Sequence, residues 1–227
     1  MDSLDLYAKI EPLIGFYEEY ERLYEEYLKI LKEFDCKKVL EIGFGRGRFL
    51  ELLKERAYEA LGIERSEEML KRASKKDLNV KKKDLKDLKD SFDCAVAIGD
   101  VLNYMDEKTL RDFFKDLKRV LKRGGVFIAD INTEFGFEEI TQGVMLKDNE
   151  DAFLAIEAEF ENKKLITDIF FFQKEGELYK KEKARIVQYY YPFEKIVKLS
   201  GLDPIDLREF RLFADEADKE ILILKNV

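Results

Sequence analysis

The sequence predicts an α/β fold: a doubly wound, mostly parallel sheet of seven strands with an inserted antiparallel β cap. Up to about residue 131, short apolar runs alternate with amphipathic helical patterns, which is typical of βα units and a parallel sheet. After residue 150 this alternation stops, and three extended runs follow one another without a helix. We therefore expect a core formed by residues 1–150 and 188–227 and a cap formed by residues 151–187.

The chain is expected to begin with a helix. Residues 9–33 place apolar or tyrosine side chains at every third or fourth position, as on one face of a helix. Pro12 should mark the start of this helix or a break between two helices. We interpret the tyrosines on this face as core packing rather than as a ligand cage.

The later elements follow from the same patterns. The predicted strands of the core are 38–42, 58–63, 78–83, 92–98, 125–131, 203–212 and 220–225, and its further helices are 46–56, 67–75, 106–122 and 192–200. Gly124 and Gly125 are expected to end the helix at 106–122. The cap strands are predicted at 152–161, 164–173 and 177–190.

Composition excludes several classes of protein. The chain has 227 residues, 46% of them hydrophobic, which suffices for one globular core. A net charge of -8 argues against a protein that coats nucleic acid. The absence of histidine excludes serine–histidine hydrolysis and histidine-based zinc sites. A charged content of 40% is typical of thermophile surfaces.

The two cysteines indicate the compartment. Cys36 and Cys94 lie far apart and form no C-x-x-C motif, so we expect buried free thiols in a reducing cytosol and a cytoplasmic protein. The N-terminal segment is acidic and lacks a long apolar run, so neither a signal peptide nor a membrane span is expected.

The most informative motif is K-V-L-E-I-G-F-G-R-G at residues 38–47. A predicted strand runs into Gly43, Gly45 and Gly47, and a predicted helix follows. Such a turn brings backbone N–H groups close to a ligand. The dinucleotide fingerprint G-x-G-x-x-G would require its third glycine at 48, where the chain has arginine. The spacing therefore disfavours a nicotinamide oxidoreductase.

Polar residues follow the next strands, at the sheet edge where α/β proteins bind ligands. Glu64, after the second strand, could accept both ribose hydroxyls of an adenosine. Asp84, after the third strand, could accept the adenine amino group, with Leu85 covering the ring. Gly99 and Asp100 follow the fourth strand. These strand ends should converge on the glycine motif.

Together these residues resemble the class I S-adenosylmethionine (SAM)-dependent methyltransferases, which have a Rossmann-like fold, over nearly the whole chain. Glu41 and the three glycines match the first motif of that family, and E64-R65-S66-E67-E68-M69 resembles its D-x-S-x-x-M. The run from Phe92 to Met105 and the run from Leu121 to Thr133 resemble a subgroup that has an antiparallel β cap and acts on small molecules. The resemblance implies SAM as cofactor, bound by Glu41, Gly43, Phe44, Gly45, Gly47, Glu64, Arg65, Met69, Asp84, Leu85, Gly99 and Asp100.

The implied activity is methyl transfer from SAM to a small-molecule acceptor, without a metal. No catalytic residue is assigned: Asp100, Asp130 or a tyrosine could assist if the acceptor is a hydroxyl or a carboxylate. The N-P-P-Y motif of amino methylation on nucleobases is absent. Two alternatives remain: an RNA-modifying methyltransferase and a non-catalytic SAM-binding module. Only the basic run 81–83 favours the first. Neither a nucleic-acid partner nor a membrane is expected, and the acceptor and the oligomeric state stay open.

Overall fold

The computed structural model describes residues 3–15 and 17–227, which form six α-helices and eleven strands. The helices are α1 (Ser3–Ile14), α2 (Tyr17–Glu33), α3 (Arg48–Glu55), α4 (Glu67–Ser74), α5 (Glu107–Val120) and α6 (Phe193–Ser200). The strands are β1 (Lys38–Ile42), β2 (Glu59–Glu64), β3 (Val80–Lys82), β4 (Phe92–Ala97), β5 (Leu121–Asn132), β6 (Gly143–Asp148), β7 (Ala152–Glu161), β8 (Lys164–Glu175), β9 (Leu178–Tyr189), β10 (Asp203–Phe210) and β11 (Lys219–Lys225). Short helical turns lie at Leu85–Asp87, Val101–Tyr104 and Gly136–Thr141.

The main sheet has seven strands in the order β10-β11-β5-β4-β1-β2-β3. Strands β1 to β5 pair in parallel with one another, and β11 runs antiparallel to both β5 and β10. The predicted doubly wound, mostly parallel sheet is thus confirmed. The strand order reverses at β1, between β4 and β2, which is where such sheets open a crevice for ligands.

The second sheet has four antiparallel strands in the order β6-β7-β8-β9. Three of them correspond to the predicted cap strands, and the turns between these three lie at residues 162–163 and 176–177. The edge strand β6 was not anticipated, because its side chains are mostly exposed and carry no alternating apolar pattern. Where the core ends and the cap begins stays a prediction.

Two helix boundaries differ from the sequence-based expectation. The N-terminal helical segment forms two helices, and Pro12 lies inside α1 rather than at a start or a break; the chain turns at Gly15 instead. Helix α5 ends at Val120, and Gly124 and Gly125 belong to β5. A Cβ on Gly125 would lie 2.9 Å from the carbonyl oxygen of Asp93, so this glycine permits the close approach of β5 to β4.

Helices bury both faces of the main sheet. Large apolar side chains of α5 and α6 cover one face, and those of α2 and α3 cover the other. Helix α1 packs Leu6 and Ile10 against Leu154, Ile169 and Phe171 of the second sheet. Among residues 3–15 and 17–227, no helix is long and apolar enough to cross a membrane.

The prediction of free thiols is wrong, because Cys36 and Cys94 form a disulfide. Their Cα atoms lie 5.8 Å apart although 58 positions separate them in the sequence. Cys36 precedes β1 and Cys94 lies on β4, where it is the register partner of Val39. Parallel pairing of two strands that are distant in sequence creates this proximity. The cytoplasmic localisation stays a prediction.

Candidate functional site

The glycine motif forms the turn between β1 and α3, and its glycines serve different needs. Gly43, Gly45 and Gly47 all have left-handed φ values of 72°, 53° and 76°, a region that glycine reaches without strain. A Cβ on Gly47 would lie 2.8 Å from Leu78 Cδ1 and 3.2 Å from Ala73 Cβ, so any side chain here would force Leu78 to move. A Cβ on Gly45 would meet no described atom within 4 Å. The turn therefore faces open space at Gly45.

Glu64 lies directly beside this turn. Its Oε2 accepts a hydrogen bond from Gly45 N at 3.2 Å, and its Oε1 accepts from Arg65 N at 2.7 Å and from Ser66 N at 3.0 Å. A carboxylate offers about four lone-pair positions, so Glu64 retains some accepting capacity. The end of β2 thus holds an ionisable acceptor next to the open face of the glycine turn.

Glu41 is buried on β1 with an unsatisfied oxygen. Glu41 is 3% exposed, and its Oε2 has no hydrogen-bond partner among the described residues. Burial raises the pKa of Glu41 well above 4.5, and the charge of Glu64 adds to the shift. A buried polar atom without a partner costs free energy. This carboxyl group is therefore suited to a donor or cation that a ligand supplies.

Three predicted site residues have buried apolar side chains. Phe44, Met69 and Leu85 are all buried. The Phe44 ring lies against Gly62, where a Cβ would come within 2.6 Å of it, so Phe44 points into the core. Ser66 caps α4 by accepting a hydrogen bond from Met69 N at 3.3 Å. Any contact of these three side chains with a cofactor stays a prediction.

The outer end of the site carries an exposed ion pair. Arg65 Nε donates to Asp84 Oδ1 at 2.7 Å, and Lys86 Nζ lies 3.6 Å from Asp84 Oδ2. The Arg65 side chain is 66% exposed and that of Asp84 is 34% exposed, so water screens the pair. The structure thus brings Arg65 and Asp84 together next to β2 and β3.

A buried polar network lies on the opposite side of β1, at the end of β4. Its centre is Asp130, which is 0% exposed. Asp130 accepts hydrogen bonds from Gly99 N at 2.8 Å, Asp100 N at 3.0 Å, Tyr27 OH at 2.9 Å and Lys219 Nζ at 2.9 Å. Four donors fill the capacity of this carboxylate. Asp130 therefore anchors the turn at 99–100 and has no accepting capacity left for a ligand.

Asp100 joins this network to the second sheet. It has a left-handed φ of 51°, and its carboxylate accepts from Lys219 Nζ at 2.9 Å and from Gln188 Nε2 at 2.5 Å. Burial alone would lower the pKa of Lys219, but Asp100 and Asp130 raise it above its ordinary value. Sequence analysis missed Lys219 and Gln188. The local signal was a lysine at the start of β11, whose central residues 221–224 are apolar.

Two tyrosines approach Asp100 from α2 and from the turn after β4. Burial raises the pKa of Tyr20 and of Tyr104 well above 10, and the charge of Asp100 adds to both shifts. The Tyr20 ring lies near Gly99, where a Cβ would come within 3.8 Å of it. Both phenols therefore stay protonated at neutral pH and can donate hydrogen bonds.

Comparison with known proteins places this geometry in context. Residues 39–125 match the family described as "Methyltransferase domain". The Bacillus subtilis protein YqeM, which is named as a methyltransferase, is 27% identical over 195 residues, covering 81% of this chain and 78% of that protein.

Solved structures have the same fold. An S-adenosylmethionine-dependent methyltransferase from Clostridium acetobutylicum superposes with a TM-score of 0.77 at 23% identity, covering 97% of this chain and 96% of that one. SAM-bound CalS10 from Micromonospora echinaspora, an amino pentose methyltransferase, superposes with a TM-score of 0.69 at 15% identity, covering 98% and 97%. Residues 39–125 thus match a methyltransferase domain, and the chain as a whole has the fold of these SAM-dependent methyltransferases.

Proposed function

We propose that the chain binds SAM along the carboxyl edge of β4, β1, β2 and β3 and methylates a small-molecule acceptor. The observation that carries the proposal is the unpartnered Oε2 of buried Glu41, beside a glycine turn that faces open space at Gly45. SAM brings a cationic amino group that could partner a buried carboxylate. The residues present therefore fit this cofactor.

The strand order gives the proposed orientation. Glu64 on β2 would accept from the ribose hydroxyls, and Asp84 after β3 would accept from the adenine amino group. The methionyl end would then extend the other way, towards β4, where Gly99 and Asp100 lie. Glu41 and Asp100 would thus face the amino-acid part of the cofactor.

The chain's own contribution to the reaction is binding, alignment and exclusion of water. SAM, when bound, supplies a methyl group already activated by its sulfonium. Tyr20 and Tyr104 keep their protons and would orient an acceptor by donating hydrogen bonds. Asp130 is saturated by four donors, so of the two aspartates only Asp100 keeps accepting capacity for a ligand.

A small-molecule acceptor is favoured over RNA. Gln188 on β9 reaches Asp100, so the second sheet would cover the methionyl end and limit the size of the acceptor. The basic run 81–83 does not stand free of acidic neighbours, because Lys82 pairs with Glu67 at 3.0 Å. CalS10, which has the same fold, is an amino pentose methyltransferase.

The decisive experiment compares two glycine-to-valine variants by calorimetry with SAM and S-adenosylhomocysteine. Gly45→Val places a branched side chain in the open space at the turn, and we expect affinity to fall at least about 100-fold. Gly176→Val is the matched control, because Gly176 also has a left-handed φ, of 67°, and open space, but lies in the β8–β9 turn. Unchanged affinity in Gly45→Val, or equal losses in both variants, would refute the assigned site.

Turnover separates the enzyme from a non-catalytic SAM-binding module. We expect the chain to release S-adenosylhomocysteine from SAM when it is screened against small metabolites that carry amino, hydroxyl or carboxyl groups. Release with RNA alone would instead favour the RNA-modifying alternative. Tight SAM binding without release on any acceptor would favour the binding module.

A further inference from the structure

Lys219 is a fully buried lysine for which the proposed chemistry has no direct use. It is 1% exposed, and its Nζ contacts Asp100 Oδ1 and Asp130 Oδ2 at 2.9 Å each and Asn132 Oδ1 at 3.1 Å. An ammonium group has three donors, and these three acceptors use all of them. Lysine is almost never fully buried without such pairing. The network is therefore built around this one ammonium group.

What Lys219 holds in place is the Asp100 carboxylate. Asp100 adopts a left-handed backbone conformation, which is uncommon for a residue other than glycine and persists only where the surroundings enforce it. Asp130 fixes the backbone of this turn through two N–H groups, and Lys219 fixes the side chain. Gln188 holds the other carboxylate oxygen from the second sheet.

The charges of this network do not cancel. The two carboxylates of Asp100 and Asp130 face one ammonium group, so the network is left with one negative charge. Asp130 accepts its full number of hydrogen bonds, whereas each Asp100 oxygen accepts one from a side chain and can accept another. The surplus negative charge is thus presented by Asp100, at the end of the strand that pairs with β1 and its buried Glu41.

We infer that Lys219 is a positioning residue, which acts through Asp100 to hold the amino-acid end of the cofactor. The inference rests on the proposed SAM site. Without the ammonium group, two buried carboxylates would repel each other, and Asp100 would leave its position. Lys219 itself would touch neither cofactor nor acceptor.

The test compares two ligands that differ only at the inferred contact. S-adenosylhomocysteine carries the amino-acid group, whereas 5′-methylthioadenosine has the same adenosine and thioether without it. We expect Lys219→Met to weaken S-adenosylhomocysteine binding about tenfold, as for loss of a charged hydrogen bond, and 5′-methylthioadenosine binding less than about twofold. A general loss of structure would weaken both ligands alike, and that result would overturn the inference.

A double-mutant cycle guards against a variant that fails to fold. Asp100→Asn should show the same ligand-selective loss, and adding Lys219→Met to it should cause no further loss, because Lys219 acts through the Asp100 charge. The double variant also restores the net charge of the network. Additive losses, or an unchanged or stronger affinity in Lys219→Met, would overturn the inference. If the wild-type chain binds neither S-adenosylhomocysteine nor SAM, the proposed function is wrong and the inference falls with it.

Discussion

The two halves of the candidate site are built in different ways. In the half next to β2 and β3, Glu64 and Asp84 find their partners within 19 positions of the sequence, and the Arg65–Asp84 pair is exposed to water. In the half next to β1 and β4, Asp100 contacts Gln188 and Lys219, which lie 88 and 119 positions away in the sequence. These contacts are largely shielded from solvent. One half is local and open, and the other is long-range and buried.

This difference indicates a division of labour. Exposed ion pairs are worth little and rearrange readily, so the open half can exchange its internal partners for ligand groups at small cost. A buried network keeps its geometry, because every unsatisfied group would be costly. The open half should therefore contribute mostly affinity, while the buried half should hold the methionyl end and the acceptor in register.

The largest effect that we expect concerns the crosslink of the buried half. The Cys36–Cys94 disulfide links the segment before β1 to β4. Strand β1 carries Glu41, and β4 precedes Asp100. Closing a loop of 58 residues stabilises a fold by about 4 kcal/mol in the chain-entropy account. The Cys36→Ala/Cys94→Ala variant should lose about that much free energy of unfolding, measured by chemical denaturation.

Reduction supplies the control for this prediction. A reductant present during denaturation should lower the unfolding midpoint of the wild-type chain towards that of the variant and leave the variant unchanged. If the wild-type chain has the same unfolding midpoint with and without reductant, and this midpoint equals that of the variant, the chain carries no such crosslink.

The same contrast explains how far the sequence was informative. The strands, the glycine turn and the acids after β2 and β3 could be predicted, because spacing within a short segment carries that information. The pairing of Cys36 with Cys94 and the contact of Lys219 with Asp100 could not, because each depends on strand order in the sheet. Gln188 was equally hidden, since its role requires the second sheet to reach the end of β4.

The second prediction tests the open half. Glu64→Ala removes the expected ribose acceptor, and SAM affinity should fall by about 2–3 kcal/mol, as for a hydrogen bond to a charged group. Glu64→Gln keeps the size and one acceptor, so its loss should be smaller. The wild-type chain should not bind NADP, because the 2′-phosphate would face this carboxylate. Calorimetry that finds NADP binding without SAM binding would favour an oxidoreductase instead.

The smallest expected effect concerns Glu41, the buried counterpart of Glu64. Burial raises its pKa in the folded chain, whereas in the unfolded chain the carboxyl group titrates near 4.5. As pH rises above about 4.5, the unfolded chain therefore loses this proton first, and the free energy of unfolding falls until the pH passes the folded-state pKa. Glutamine cannot titrate, so Glu41→Gln should lack this fall.

Without ligand at about pH 8, Glu41→Gln should be more stable than the wild-type chain by about 1 kcal/mol, since it avoids this fall in the free energy of unfolding. Near pH 5 the two chains should differ less, because the fall in wild-type stability has then only begun. Saturating S-adenosylhomocysteine should reverse the order at about pH 8, since its amino group would partner the wild-type carboxylate. Urea unfolding at both pH values, with and without ligand, measures all of these differences. Parallel pH profiles would mean that the Glu41 carboxylate is hydrated in solution, and the contrast between a buried and an open half of the site would then fail at its central residue.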